Sequence, residues 1–141
     1  MRIVQFEPDH LKQLLLQPSQ AMMQPLLDNA DYAQSLKDAG PAYSAVEGDV
    51  VFACAGMIPQ WEGRAVAWAL ISAEAGRHFI TITRAIRRSF VLHPFRRVET
   101  AVAHDFPQGH RWARMLGFSP EGLMRSYTPD GRDCDLYARV Q

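Results

Sequence analysis

The residues that could do chemistry in this chain are cysteine, histidine, arginine and a few carboxylates, and their spacing matches no self-contained catalytic motif. Two cysteines, Cys54 and Cys134, stand 80 positions apart. Neither lies in a Cys-x-x-Cys pair, and zinc ligands ordinarily come in such local pairs, so no metal site is expected. Cys54 falls inside an apolar run, 50–58, and reads as a reduced core thiol, because a nucleophilic thiol needs a neighbouring base. The five histidines (His10, His78, His93, His104, His110) form no His-Glu-x-x-His pattern. Neither a Gly-x-Ser-x-Gly elbow nor a Walker loop is present. His104-Asp105 offers an acid/base pair, and Asp105 serves equally well as the cap of a following helix.

Charge adds a second clue. The 141 residues carry 15 basic and 15 acidic side chains, a formal net charge of zero, which argues against a chain that coats nucleic acid by bulk electrostatics. The zero hides a split: residues 1–60 hold 3 basic and 7 acidic residues, while 61–128 hold 10 basic and 5 acidic. Between 75 and 98 there are six arginines (Arg77, Arg84, Arg87, Arg88, Arg96, Arg97) and no acid. Arginine presents a planar fork to phosphate and carboxylate. A solvated helix face accounts for Arg84, Arg87 and Arg88 as well as a partner surface does.

The elements that must position these groups follow from periodicity and punctuation. Residues 1–6 read as a strand. Pro8 can open a helix carrying Leu11, Leu14 and Leu15, which Pro18 ends. Pro25 breaks the Met/Leu-rich segment that follows into two short helices or a helix and a loop. Residues 28–31 cap a further helix with Ala33, Leu36 and Ala39 inside it, stopped by Gly40-Pro41. Residues 42–47 and 50–58 form a hairpin around Gly48-Asp49, the second strand covered on both faces. Residues 59–64 read as a loop and 65–72 as a third apolar strand.

Within 78–92, Thr81 and Thr83 favour a strand by propensity. The spacing of Phe79, Ile82, Ile86 and Phe90 on one face predicts a helix. Residues 97–103 read as a strand. A helix with Pro107 in its first turn and Gly117 just past its end comes next. Strands 118–127 and 133–140 then flank a turn at Thr128-Pro129-Asp130-Gly131. There is no internal repeat, low-complexity tract or linker, so a single α/β domain is expected.

The C-terminal third carries a family resemblance. Leu116-Gly117-Phe118 at a helix end is followed by Glu121-Gly122-Leu123-Met124-Arg125. A turn at Asp130-Gly131-Arg132 and a closing strand over 133–140 complete the pattern. This run, over 105–141, resembles the GNAT acetyltransferases, and the strand–helix–strand order over 42–104 agrees with it. Within that family the chain looks most like the divergent GNAT-like proteins of tailed bacteriophages, which share a Trp-x-x-x-Leu-Gly-Phe helix end and a strand tryptophan near Trp68. Some of those are virion or ejection components.

The resemblance implies a layered GNAT-like α/β domain spanning 1–141, with a mixed central sheet of about seven strands flanked by three to four helices. It implies acetyl-CoA as coenzyme, lying where two central strands splay apart. The pyrophosphate would rest on a helix N-terminus with a glycine allowing close approach of the backbone. The matching stretch here is 74–79, which makes Ile71, Ser72, Gly76, Arg77, His78 and Phe79 the expected coenzyme contacts. It has one glycine where the family usually has two, and an ordinary strand-to-helix loop reads the same way. The usual tyrosine four residues before the Gly of Leu-Gly-Phe is Ala113, and the usual asparagine falls near Phe106. Glu74, His104, His110 and Tyr127 are the replacements available for acid/base work, with Glu99 a further carboxylate. A primary-amine acceptor would lie among 18–27 and 127–132, and a backbone N–H of strand 65–72 would polarise the thioester carbonyl.

Two functions therefore stand side by side. One is an acetyl-CoA-dependent N-acyltransferase. The other is a non-catalytic GNAT-fold protein that binds a protein partner, such as another component of a phage particle. Neither reading calls for a membrane or a nucleic-acid partner. No run of 18 apolar residues exists, the N-terminus lacks a signal-peptide pattern, and a host-cytoplasmic or virion location is expected.

Overall fold

The computed structural model describes residues 1–141. Seven strands form one sheet: β1 (Arg2–Gln5), β2 (Ala42–Glu47), β3 (Val50–Trp61), β4 (Arg64–Ile71), β5 (Arg97–Ala103), β6 (Ser119–Met124) and β7 (Cys134–Val140). Their order is β1-β2-β3-β4-β5-β7-β6. Every neighbouring pair is antiparallel except β4 and β5. Five helices complete the fold: α1 (Pro8–Lys12), α2 (Gln24–Leu27), α3 (Ala30–Ala39), α4 (Phe79–Leu92) and α5 (Pro107–Met115). Two of the five are single short turns of helix, which is why the number exceeds the three to four expected.

The first helix is shorter than its leucine spacing predicts. It stops at Lys12 because the chain is drawn into the sheet: Leu14 bridges Val51 and Leu16 bridges Ser72. Pro18 then opens a 3-10 segment, Pro18–Met23, instead of closing a helix. α3 is capped inside the expected segment by Asn29, whose side-chain oxygen accepts the Asp31 and Tyr32 N–H groups. β3 runs past Pro59, which had read as loop. Pro59 pairs with Ala65 next to a register shift, where a missing N–H is tolerated. α5 takes Phe106 as its N-cap with no side-chain hydrogen bond, so Asp105 does not cap it.

α4 settles the ambiguous stretch in favour of the helix. Ile82, Thr83 and Phe90 are buried against the sheet, while Arg84, Arg87 and Arg88 face solvent. Burying one apolar stripe outweighs the strand propensity of the threonines. The sheet is covered on both faces. Phe6, Leu11, Leu14, Leu27, Leu36 and Leu70 pack on the α1–α3 side. Ala65, Phe90, Val98, Leu116, Phe118 and Tyr137 pack under α4 and α5. Both cysteines are free and buried, and burial pushes the Cys54 thiol up to about 12, which removes it as a nucleophile at neutral pH.

Candidate active site

The parallel pair is joined only at its foot. β4 and β5 are in register at Arg64/Arg97, Ala65/Val98 and Val66/Glu99, and nowhere beyond. β4 keeps a full antiparallel ladder with β3, and β5 keeps one with β7. Each strand follows its own complete partner, and the accumulating twist carries the two apart. Thr100 Oγ1 donates to the Ala67 carbonyl at 3.1 Å as the last link. Past it a cavity of about 1130 Å³ opens, walled by Ala67, Trp68 and Ala69 on one side and Ala101, Val102 and Ala103 on the other.

α4 and α5 shape the far wall. α5 lies so close to β5 that a Cβ built on Gly109 would stand 2.8 Å from Val102 Cγ1 and 2.5 Å from the Phe106 ring. Glycine is the residue that permits this approach. Trp112 fills the angle between the two helices: its ring centroid is 5.5 Å from that of Phe79, and its Nε1–H donates to Thr83 Oγ1 at 2.9 Å.

The edge of β4 that faces the opening is occupied. Gln20, from the 3-10 segment, lays its carboxamide along it: Nε2 donates to the Ala69 carbonyl at 2.8 Å and Oε1 accepts the Ile71 N–H at 2.9 Å. The main chain continues the pattern. The Gln17 N–H donates to the Ile71 carbonyl at 3.1 Å, and the Ala73 N–H to the Leu15 carbonyl at 2.9 Å. Residues 15–20 thus satisfy an edge that would otherwise be open. Sequence reading gives no sign of this, because Gln20 and its strand are about fifty residues apart and glutamine is ordinary in a loop.

At the outer end of β4, Ile71 and Ser72 are buried, and Ser72 Oγ accepts the Glu74 N–H at 3.1 Å. Gly76 is exposed, with nothing within 4 Å of a built Cβ, in a 3-10 turn (Ala75–His78) that runs into α4, where the Phe79 N–H donates to the Gly76 carbonyl. Arg77 does not reach freely outward. Its Nη2 lies 3.4 Å from Glu47 Oε1, a carboxylate that also holds the N-terminal ammonium at 3.1 Å. The His78 ring is 4.5 Å from Phe52. The six expected coenzyme contacts, Ile71, Ser72, Gly76, Arg77, His78 and Phe79, do not line the cavity, whose wall ends at Leu70 on β4 and resumes at Thr81 on α4. These residues fit an anionic coenzyme group, provided Arg77 exchanges Glu47 for it.

The acid/base candidates separate in space. Tyr127 lines the cavity, in the tight 127–132 turn whose Arg132 Nη2 lies 3.5 Å from Met22 Sδ. Glu74 lies exposed on the outer loop, away from the cavity wall. His104 and His110 sit behind α5 in a separate cluster: His104 Nδ1 is 2.8 Å from Asp135 Oδ1, and His110 Nδ1 is 2.8 Å from the Tyr137 hydroxyl. His110 Nε2 donates to the His104 carbonyl at 2.9 Å, which leaves Nδ1 of the neutral ring to accept the Tyr137 O–H. The Asp135 carboxylate raises the His104 pKa.

Glu99 does line the cavity, but as part of the foot. Arg64 Nη2 is 2.7 Å from Glu99 Oε2, and Arg97 Nε is 2.6 Å from Glu99 Oε1. The Arg64 and then the Arg97 hydrogen bonds hold this carboxyl down at about 2, so it has no basicity to offer near neutral pH. It is also the one acid on the cavity wall, where Arg64, Arg84 and Arg88 appear as well. The seven acids of residues 1–60 are all exposed and none lines the cavity. Their placement therefore does not prepare the acceptor side for a cation.

No family model matches the chain, and no curated protein matches it in sequence. Solved structures do match in fold. One is a chimera of the spermidine N-acetyltransferase SpeG from Vibrio cholerae and hSSAT. It is 18% identical, with 100% of this chain and 96% of that one covered and a TM-score of 0.74. Another is an aminoglycoside 6′-acetyltransferase type Ii, 16% identical, with 99% and 97% covered and a TM-score of 0.74. A third is a GNAT-family acetyltransferase from Bacillus anthracis, 12% identical, with 98% and 93% covered and a TM-score of 0.70. The chain has the GNAT fold over its whole described length.

Proposed function

We propose that this chain is a GNAT-type N-acyltransferase that takes the acetyl group of acetyl-CoA to a primary amine. The observation that carries the reading is the parting of β4 from β5 into a cavity bounded by Leu70 on β4 and Thr81 on α4, with the Gly76–Arg77 turn in the chain between them. Acetyl-CoA would supply an activated thioester. Ile71, Ser72 and the 76–79 turn would hold its phosphorylated end, with Arg77 leaving Glu47 to neutralise charge. The Ala69 N–H lies on the same edge of β4 as its own carbonyl and would polarise the thioester oxygen. Tyr127 is the one of the four acid/base candidates on the cavity wall; its hydroxyl would protonate the departing thiolate, and the phenolate so formed would take the proton that the acylated nitrogen loses. No free carboxylate or imidazole of that set stands in the cavity, so the amine would be delivered in its neutral form.

The acceptor half of the cavity sharpens the substrate class. Met22, Met23, Met124 and Leu136 wall it, and its one carboxylate is consumed by two arginines. This favours an amine with an apolar body over a polycation, since a second ammonium would be desolvated without a partner. The test is thiol release from acetyl-CoA with tyramine, spermidine and kanamycin as acceptors. We expect turnover with tyramine to exceed both polycations and to rise with pH. Tyr127→Phe should lower kcat about 100-fold with little change in the KM for acetyl-CoA. Thiol release no faster than in buffer with every amine would defeat the reading.

A second reading, a non-catalytic GNAT-fold component of a phage particle, has its own support. Ala113 stands where the family usually carries tyrosine. Arg84, Arg87 and Arg88 are exposed on α4 and enter no ion pair, beside exposed Ile80 and Val91. That face suits an acidic protein partner. Co-purification with virions supports it, and free protein alone late in infection counts against it.

A further inference from the structure

We infer that residues 15–20 form a displaceable strap and that Gln20 is an internal stand-in for an amide-bearing ligand on the edge of β4. The inference rests on the coenzyme reading above. The edge inside the opening offers three acceptors and one donor: the Ala67 carbonyl, the Ala69 carbonyl, the Ile71 N–H and the Ile71 carbonyl. In this structure each has a partner that is not a strand of the sheet, namely Thr100 Oγ1, Gln20 Nε2, Gln20 Oε1 and the Gln17 N–H. A primary carboxamide presents one donor and one acceptor in the plane of its carbonyl, the same pair a peptide group presents to a strand edge. Gln20 bonds both Ala69 and Ile71, so it occupies the length of edge that one ligand amide would use.

The attachment is built to be reversible. Gln20 is partly buried, not locked in the core, and it reaches the edge through its side chain. The 3-10 segment that carries it buries no residue. Ser19, Gln20, Met22 and Met23 of the same segment also wall the acceptor half of the cavity, and Met22 meets Arg132 of the 127–132 turn. Withdrawal of Gln20 therefore moves the acceptor wall. An amide-bearing arm entering along β4 must break two hydrogen bonds and remake them for itself, and the acceptor pocket takes its working shape only after that exchange.

The test is calorimetric titration of acetyl-CoA into the wild-type protein, Gln20→Ala and Gln20→Leu, with amide hydrogen exchange at Ile71 followed in the free and loaded forms. If Gln20 competes for the edge, Gln20→Ala binds acetyl-CoA about tenfold more tightly, the order expected for relieving two modest hydrogen bonds. The Ile71 amide, protected in free wild type, becomes exposed in free Gln20→Ala and is protected again on loading. Gln20→Leu keeps the bulk without the amide and shows the same loss and recovery, which separates hydrogen bonding from steric filling. Equal affinity in all three proteins overturns the strap while leaving the coenzyme reading intact. Weaker binding by Gln20→Ala, with an unchanged melting transition, overturns it too and makes Gln20 a ligand contact. Absence of binding by all three at millimolar acetyl-CoA overturns the coenzyme reading and the strap with it.

Discussion

The two ends of the β4–β5 pair are built on opposite principles. At the foot, three register pairs are backed by a charge network in which Glu99 receives Arg64 and Arg97, and Arg97 also reaches Glu121. Every charge there has a partner, and Ala65 and Val98 beneath it are almost wholly buried. At the mouth, the same strands are satisfied by a threonine hydroxyl, a glutamine carboxamide and a passing loop. Permanent partners fix the vertex, and exchangeable partners leave the opening available. A ligand edge inside a stable sheet needs both, because a cleft that opened along its whole length would split the sheet.

The contrast predicts unequal responses to mutation. Glu99→Gln at the foot should cost about 2 kcal/mol in urea denaturation, since hydrogen bonds to charged groups are among the stronger ones. The pH dependence carries a sign. The folded pKa of Glu99 lies below the ordinary carboxylate value of 4.5, so its contribution is present above that value and lost as pH falls through about 2. The acid limb of the stability profile should flatten in the variant. Gln20→Ala at the mouth should cost no more than about 1 kcal/mol in the same measurement, with water replacing the amide. A loss at the mouth equal to that at the foot would erase the distinction.

Two smaller effects sharpen its boundaries. The His104–Asp135 pair belongs to neither end of the cleft. In an NMR titration His104 should titrate above its ordinary 6.5, and Asp135→Asn should bring it back. The folded value is the raised one, so the pair's contribution is complete below 6.5 and disappears as pH rises through that folded value. Acetyl-CoA affinity should not follow this titration. Last, replacing Arg84, Arg87 and Arg88 together by alanine should change stability by about 0.5 kcal/mol or less, as exposed unpaired charges do. It should abolish capture by an acidic partner if the α4 face serves one.

Much of the frame was legible in the residues. Alternation, Gly48, Gly117 and the 128–131 turn marked the hairpin, a helix end and the final strand pair. The phase of Phe79, Ile82, Ile86 and Phe90 overruled the threonines of α4. The site was legible only in outline. Gly76 and Arg77 fall in the strand-to-helix connection before α4, as their place in the sequence predicts, but the Arg77–Glu47 contact depends on a hairpin 30 residues earlier. His104 and His110 stand near the start of α5 in sequence, yet helical phase turns His110 onto Tyr137 and away from the cavity. Gln20 was invisible, because its partners are main-chain atoms whose direction is set by the register of β3 against β4.

We propose that the opening of β4 from β5 is a coenzyme site closed in the free protein by its own glutamine. The most direct test is a crystal structure of the protein with acetyl-CoA. We expect density for the phosphorylated end on Gly76–Phe79, the amide-bearing arm hydrogen-bonded to Ala69 and Ile71, and Gln20 withdrawn from both. Coenzyme bound with the Gln20–Ala69 and Gln20–Ile71 hydrogen bonds still in place, or a cleft that stays empty at saturating acetyl-CoA, would contradict it.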